Sequence, residues 1–375
     1  MNFLFACGGT AGHINPAIGV AGRIRELMPD SRILFIGAED KMETELVPRE
    51  GYDIVTIPMS NLSRSLTPEG VGHNLGALRG LAVSLLACRR IIRDFRPDVV
   101  VGTGGYVCFP VLHTASRMGI PTAVHESNAQ PGLTTKLLER GTDRIMVGFE
   151  EARNNYRDPS KVRVTGTPVR LDFMRGDRLR ARQELGIPEN VPLVLSVWGS
   201  LGATEMNLKV ADMIALAMKD RPFRLIHSAG KRGIRSMSAY MSDSLGLENW
   251  DEAGFEVRDY IYDMPRLMAA ADLVLCRSGA STLAELTALG TPAVLVPSPN
   301  VVHNHQEANA RVLEHAGGAE VLLESEATPE NMLRTITALL NDRPRLDVMA
   351  DSLRALSAAD AVDEITSIVL SLAEK

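Results

Sequence analysis

Two stretches of this chain share one pattern. Phe3–Asn15 (FLFACGGTAGHIN) and Leu195–Asn207 (LSVWGSLGATEMN) each run from a short apolar segment through a glycine-rich turn into a helical start. A strand, a tight turn and a helix open a βαβ unit, and such units build parallel sheets covered on both faces. The rest of each half follows suit. Phe3–Ala6, Arg32–Ile36, Asp53–Ile57, Asp98–Gly102, Pro121–His125 and Arg144–Val147 read as the strands of one sheet. Leu193–Val197, Phe223–His227, Phe255–Arg258, Leu273–Cys276, Ala293–Val296 and Glu320–Leu322 read as the strands of another. All are short and mostly apolar, and helical segments fit between most of them. The expected fold is α/β, with two Rossmann-like domains in tandem. The Pro- and Gly-punctuated stretch Arg163 to Pro188 is expected to hold the junction, and the amphipathic tail from Ala358 to pack on one of the domains.

Composition removes several classes of function. The net charge of −6 gives no global attraction to nucleic acid. Four cysteines without a C-x-x-C pair point to a reducing compartment and away from a zinc site. No secretory leader is read at the start, and no run approaches the roughly 18–20 apolar residues of a membrane span.

Four glycine-rich stretches follow predicted strands: Gly8–His13, Gly102–Tyr106, Gly199–Ala203 and Ser278–Thr282. Each can offer backbone N–H groups and a positive helix end to an anion. One alone is as well explained as a tight βα turn. Four at the C-terminal ends of strands, the edge where open α/β sheets bind ligands, point to an anionic group in each domain. The G-x-G-x-x-G spacing is missing, the second strand closes on Phe35-Ile36-Gly37 without a sugar-reading acid, and no P-loop signature occurs.

A phosphate cradle needs only backbone amides, so His13 at the helix start suggests chemistry. A neutral imidazole there can act as a general base, or simply bond to nearby backbone. In VHESNAQPG, Val124–Gly132, the residues His125, Glu126 and Asn128 can read sugar hydroxyls or the acceptor, or else fix the strand end. His303 and His305 lack a third ligand of obvious spacing except Glu307, so VVHNHQEANA reads as a polar ligand-facing loop. No Asp-x-Asp pair is present to hold Mg²⁺ or Mn²⁺.

Taken in order, these motifs resemble the MurG family of inverting glycosyltransferases over nearly the whole chain. GGTAGHINP is similar to its first glycine loop, PDVVVGTGGYVCFP to its second and WGSLGA to its third. HESNAQPG is similar to its acceptor-side loop, TGTPVR to its domain junction, and CRSGASTLAE with HNHQEANA to its nucleotide-sugar pocket. The resemblance implies a GT-B fold whose two Rossmann-like domains face a deep interdomain cleft. Residues 1–166 would form the acceptor and membrane-facing domain, with 358–375 packing back on it, and 167–357 the UDP-sugar domain. It implies transfer of N-acetylglucosamine from UDP-GlcNAc to the 4-hydroxyl of undecaprenyl-pyrophosphoryl-MurNAc-pentapeptide, with no metal and no cofactor. His13 or Glu126 would be the base. Thr10, Gly12, Asn128, Arg170, Ser200, Ile261, Arg277, Glu285, His305 and Gln306 would contact UDP-GlcNAc. Gly9, Gly12, Gly104, Gly105 and Tyr106 would hold the acceptor pyrophosphate.

Two positions depart from the family pattern. Leu201 stands where glutamine is usual, and Thr167 where asparagine is common. The same motifs leave room for another GT-B-like enzyme, a small-acceptor glycosyltransferase or a UDP-sugar 2-epimerase, and for a silent nucleotide-sugar-binding module. The family's acceptor carries a polyprenyl chain, so a peripheral site on the cytoplasmic face of the membrane is expected, with other cell-wall synthesis proteins as further partners. Leu75–Arg96 suits that role: Leu75, Leu78, Leu81, Leu85 and Leu86 form an apolar stripe with arginines nearby.

Overall fold

The structure of the protein, a computed structural model, describes residues 1–59, 68–199, 203–301, 304–358 and 360–374, with the side chains of 68–79 and of His305 outside the description. Two compact units result: Met1–Leu171 with Ala358–Lys375, and Asp172–Ser357.

In the first unit the strands are β1 (Asn2–Ala6), β2 (Arg32–Ala38), β3 (Asp53–Ile57), β4 (Val99–Gly102), β5 (Thr122–Glu126), β6 (Arg144–Val147) and β7 (Val162–Val164). They pair in the order β3-β2-β1-β4-β5-β6-β7, all parallel. The second unit has β8 (Leu193–Val197), β9 (Arg224–Ser228), β10 (Phe255–Arg258), β11 (Leu273–Cys276), β12 (Ala293–Leu295) and β13 (Ala319–Val321). Their order, β10-β9-β8-β11-β12-β13, repeats that of the first six strands of the other sheet. Among the described residues, only strand β7 escaped the sequence reading. It is three residues long, pairs only with β6, and carries Arg163 between two valines, which leaves no apolar run to see.

In the first unit the central strands β1 and β4 to β6 are mostly buried and largely apolar because helices cover both faces, with polar residues at the strand ends and His125 and Glu126 closing β5. One face packs on α1 (Ala11–Leu27); the other packs on α3 (Pro68–Phe95) and α4 (Cys108–Arg117). A short α2 (Glu43–Arg49) lies between β2 and β3. The C-terminal helix Ala361–Ala373 buries Ile365, Val369 and Leu372 with Ile14, Ala17 and Ile24 of α1, and Arg23 pairs with Asp363 at 2.6 Å.

The topology positions the glycine loops. In each sheet the connections run outward in opposite directions from one strand pair, β1 with β4 and β8 with β11. That reversal leaves a crevice at the C-terminal strand ends, where doubly wound sheets bind ligands. The four glycine-rich turns follow these four strands: Ala6 pairs with Gly102, and Val197 with Cys276.

Candidate active site

In the first unit two glycine loops interlock. After β1 the chain turns at Gly9, φ +89°, and enters α1 from an extended Thr10. His13 lies in the first turn of α1 with Nδ1 3.0 Å from the Gly8 carbonyl oxygen and 3.5 Å from Thr10 Oγ1. A carbonyl only accepts, so Nδ1 carries the proton and Nε2 of the neutral ring keeps its lone pair. The second loop closes over this one. Thr103 donates from Oγ1 to the His13 carbonyl at 2.6 Å. Gly104, φ +109°, rests on the imidazole: a Cβ there would lie 2.5 Å from His13 Cδ2. Gly105, φ +83°, rests on the first loop, where a Cβ would fall 2.3 Å from the Gly8 oxygen. Tyr106 is half-buried beside Gly9, and burial, followed by the nearby Glu43, raises its phenol above the usual range.

Glu126 ends β5 with both carboxylate oxygens occupied. Oε1 accepts from the Asn128 backbone N–H at 3.1 Å and from Asn128 Nδ2 at 2.9 Å; Oε2 accepts from Gly132 N–H and Thr135 Oγ1, each at 2.9 Å. Four donors make Glu126 a tie between β5 and α5 (Leu133–Leu138), and they compete with any substrate proton. His125 is not ligand-facing. It is fully buried, donates from Nε2 to the Gly166 carbonyl at 2.9 Å, and burial pulls its imidazole below the ordinary range. Arg170 belongs to the first unit, where it pairs with Glu50 at 3.1 Å.

The second unit repeats the loops with a different interior. Gly199, φ +85°, follows β8 and Trp198; Ser200, Leu201 and Gly202 lie outside the described residues, and the helix Thr204–Ala217 follows. After β11, Gly279 caps the helix Ala280–Leu289 in an extended conformation, φ −68°. Among the described residues, immediate chain neighbours aside, no atom lies within 4 Å of a Cβ built on Gly199 or Gly279. Glu285 sits in the second turn of that helix, 8% exposed. Ser278 is buried and donates to the Gln306 carbonyl at 2.7 Å, while Asn309 donates to the Ser278 carbonyl at 3.4 Å. The Ser298 N–H donates to Gln306 Oε1 at 2.9 Å, leaving the Gln306 amide nitrogen as the remaining polar end. These bonds hold the helix His305–His315 against the loop; the side chain of His305, and all of His303, lie outside the described residues. Ile261, 4% exposed, follows β10.

Arg277 has a bracing geometry. Nη1 donates to the carbonyls of Val296 and Pro297 at 3.0 and 3.2 Å and pairs with Glu324 at 2.5 Å. Its guanidinium stands 5.4 Å from the centroid of the Trp198 ring. Beneath the loop His227 is fully buried, with Nδ1 3.0 Å from Ser196 Oγ and Nε2 3.2 Å from Asn207 Oδ1. Burial drives its pKa down to about 3. Among the described residues no group of three or more His, Cys, Asp or Glu is placed to hold a metal ion.

Comparison with known proteins decides what this pair of corners belongs to. Residues 3–147 match the glycosyltransferase family 28 N-terminal domain, and residues 193–365 its C-terminal domain. A relative from Acetivibrio thermocellus, named as the UDP-N-acetylglucosamine–N-acetylmuramyl-(pentapeptide) pyrophosphoryl-undecaprenol N-acetylglucosamine transferase, is 43% identical over 98% of this chain and 97% of its own. The crystal structure of Acinetobacter baumannii MurG superposes with a TM-score of 0.68 at 26% identity, covering 99% of each chain. The chain belongs to the MurG family. A UDP-GlcNAc 2-epimerase from Neisseria meningitidis, solved with UDP-GlcNAc bound, reaches the same TM-score at 17% identity, with 99% of this chain and 100% of that one covered, which shows a common GT-B fold and no more.

Within the MurG family frame, the structure gathers His13, Thr10, Gly104 and Gly105 at one corner, and Gly279 and Gln306 at the other. The sequence reading missed Glu43, fully buried beneath the first loop, and the Ser278–Asn309 tie. The trace of Glu43 in the sequence is a pair of glycines, Gly8 just past β1 and Gly37 near the end of β2, and in the structure a Cβ on either would lie 2.5 Å from the Glu43 side chain.

Proposed function

We propose that this chain transfers N-acetylglucosamine from UDP-GlcNAc to the muramoyl 4-hydroxyl of undecaprenyl-pyrophosphoryl-MurNAc-pentapeptide, with inversion. The observation that carries the chemistry is His13, whose Nδ1–H is committed to the Gly8 carbonyl so that Nε2 is the free basic atom. Nε2 takes the proton of the 4-hydroxyl; the oxygen forms its bond to the anomeric carbon as the bond to the UDP oxygen breaks, and the electron pair leaves with the diphosphate. Glu126 is assigned a positioning role, since four donors already hold its carboxylate.

Donor binding falls to the second unit. The open space before Gly279 and the N-terminus of the helix Ala280–Leu289 suit a diphosphate, whose developing charge backbone amides stabilise. Glu285 would take the ribose hydroxyls, the Ile261 backbone the uracil, and Gln306 with His305 the sugar. Ser200 would contact phosphate. Arg277 braces the pocket from behind rather than touching phosphate. In the first unit Gly9, Gly104, Gly105 and Tyr106 would receive the acceptor pyrophosphate.

The acceptor is membrane-bound, and α3 offers a docking face. Its core side buries Ser84, Cys88, Ile92 and Phe95. The opposite side exposes Val83 (49%), Leu86 (72%), Arg89, Arg90 and Arg93. Leu75, Leu78 and Arg79 lie outside the described side chains. Leu81 and Leu85 are half-buried. Apolar tips among arginines suit an anionic headgroup layer, each basic residue adding about 1 kcal/mol. No helix among the described residues is long and apolar enough to cross a membrane. Changing Arg89, Arg90 and Arg93 to Glu should abolish co-sedimentation with anionic vesicles and leave transfer to a short-chain acceptor intact; unchanged sedimentation would remove this face from the account.

The enzymatic test is incubation with labelled UDP-GlcNAc and a short-chain lipid-linked muramoyl-pentapeptide. Label should enter the lipid product, and UDP-GalNAc should be a poor donor. Conversion of the donor to its 2-epimer, or equal use of both sugars, would contradict the reading.

A further inference from the structure

The loop that holds His13 is built around a carboxylate to which the chemistry above gives no part. Glu43 starts α2 and is fully buried. Its Oε2 accepts from the Gly9 N–H at 3.1 Å and its Oε1 from the Ala38 N–H at 2.9 Å. A Cβ on Gly8 would lie 2.5 Å from Oε1, and one on Gly37 2.5 Å from Cγ. The ends of β1 and β2 are thus kept bare to admit this side chain.

We propose that Glu43 is a positioning residue for His13, acting through the peptide group between Gly8 and Gly9. That single peptide makes both bonds. Its N–H donates to Glu43, and its C=O accepts from His13 Nδ1 at 3.0 Å. A carboxylate on the N–H side draws electron density toward the carbonyl oxygen, so the two hydrogen bonds strengthen each other. Three consequences follow at His13. The peptide plane is fixed, so the ring is fixed. The Nδ1–H tautomer is selected, so Nε2 faces the substrate unprotonated. The imidazolium formed when Nε2 takes the proton is stabilised through the polarised carbonyl. This is the carboxylate–imidazole logic of hydrolytic triads with a peptide interposed. Only one proton moves, from the acceptor hydroxyl to Nε2, and Glu43 keeps its two backbone donors throughout.

The inference rests on His13 being the base, and the experiment separates the two. Nitrogen NMR of the imidazole in the unmodified full chain should show His13 protonated on Nδ1; protonation on Nε2 of the neutral ring would overturn the relay whatever the activity. Glu43→Gln, isosteric and uncharged, should lower kcat about tenfold, as removing outer-shell carboxylates does at other sites, with the donor KM unchanged. In a His13→Ala background the same change should leave the residual rate untouched. An equal loss in both backgrounds, or wild-type kcat for E43Q alone, would overturn the proposal. If His13→Ala itself keeps full kcat, the base assignment fails, while the NMR result still reports on the relay.

Discussion

The glycines of the two corners look alike in sequence and serve opposite ends. In the first unit they make room for the protein itself: Gly8 for Glu43, Gly104 for His13, Gly105 for the Gly8 carbonyl. In the second unit Gly199 and Gly279 face space empty of described atoms. A corner filled by its own side chains is preorganised and holds a catalytic group still; a corner left open waits for a ligand. The division of labour between units follows from what fills each crevice rather than from the loop pattern, which they share.

The largest expected effect tests the filled corner. His13→Ala should lower kcat by ~10²–10⁴-fold, the usual share of a general base, with the donor KM near that of the parent. Steady-state kinetics with varied donor would check it, and a small change in kcat would move the base elsewhere.

The glycines can then be set against each other. Gly105→Ala meets both a left-handed backbone and a carbonyl oxygen 2.3 Å away. Strain of about 1–3 kcal/mol should lower the melting temperature and disturb His13 with it. Gly279→Ala, at φ −68° with open space ahead, should leave stability within about 0.5 kcal/mol yet raise the donor KM. Melting curves and kinetics on both variants decide it. A harmless Gly105→Ala, or a Gly279→Ala neutral in every assay, would erase the distinction.

How far the sequence reached is visible in the same residues. The strands and the placing of the glycine loops were legible because strands buried on both faces are largely apolar and their turns need glycine. Side-chain roles were not. His125 and Glu126 lie side by side in a polar cluster, yet one is turned inward to Gly166 and the other is consumed by its own loop. Arg277 has the composition of a phosphate ligand and the geometry of a brace. Arg182 sits in a charged helical run but is 1% exposed, donating to Ala270 and Pro188 carbonyls and pairing with Asp272. Such outcomes depend on which way a side chain turns, and residue type does not encode that.

A further difference concerns pH. Burial lowers the pKa of His125 in the first unit and that of His227 in the second, the latter to about 3. Unfolding exposes each ring to its ordinary pKa near 6.5. Below about pH 6.5 the unfolded state therefore binds more protons, and stability falls with pH, for His227 down to about pH 3. Above that range the contribution is fully present. His227 should add a slope of up to about 1.4 kcal/mol per pH unit, and His125 acts in the same direction. Denaturant titrations between pH 7 and 4 should show a shallower slope for His227→Gln than for the parent; identical slopes would mean that His227 is not held neutral.

UDP affinity rests on the second unit and proton abstraction on His13 of the first, and equilibrium binding of UDP separates the two. Calorimetric titration of UDP should give the parent affinity for His13→Ala, despite its slow turnover, and a loss of about tenfold or more for Glu285→Ala, as expected when hydrogen bonds to a charged group are removed. UDP binding that fails in His13→Ala, or survives unchanged in Glu285→Ala, would contradict it.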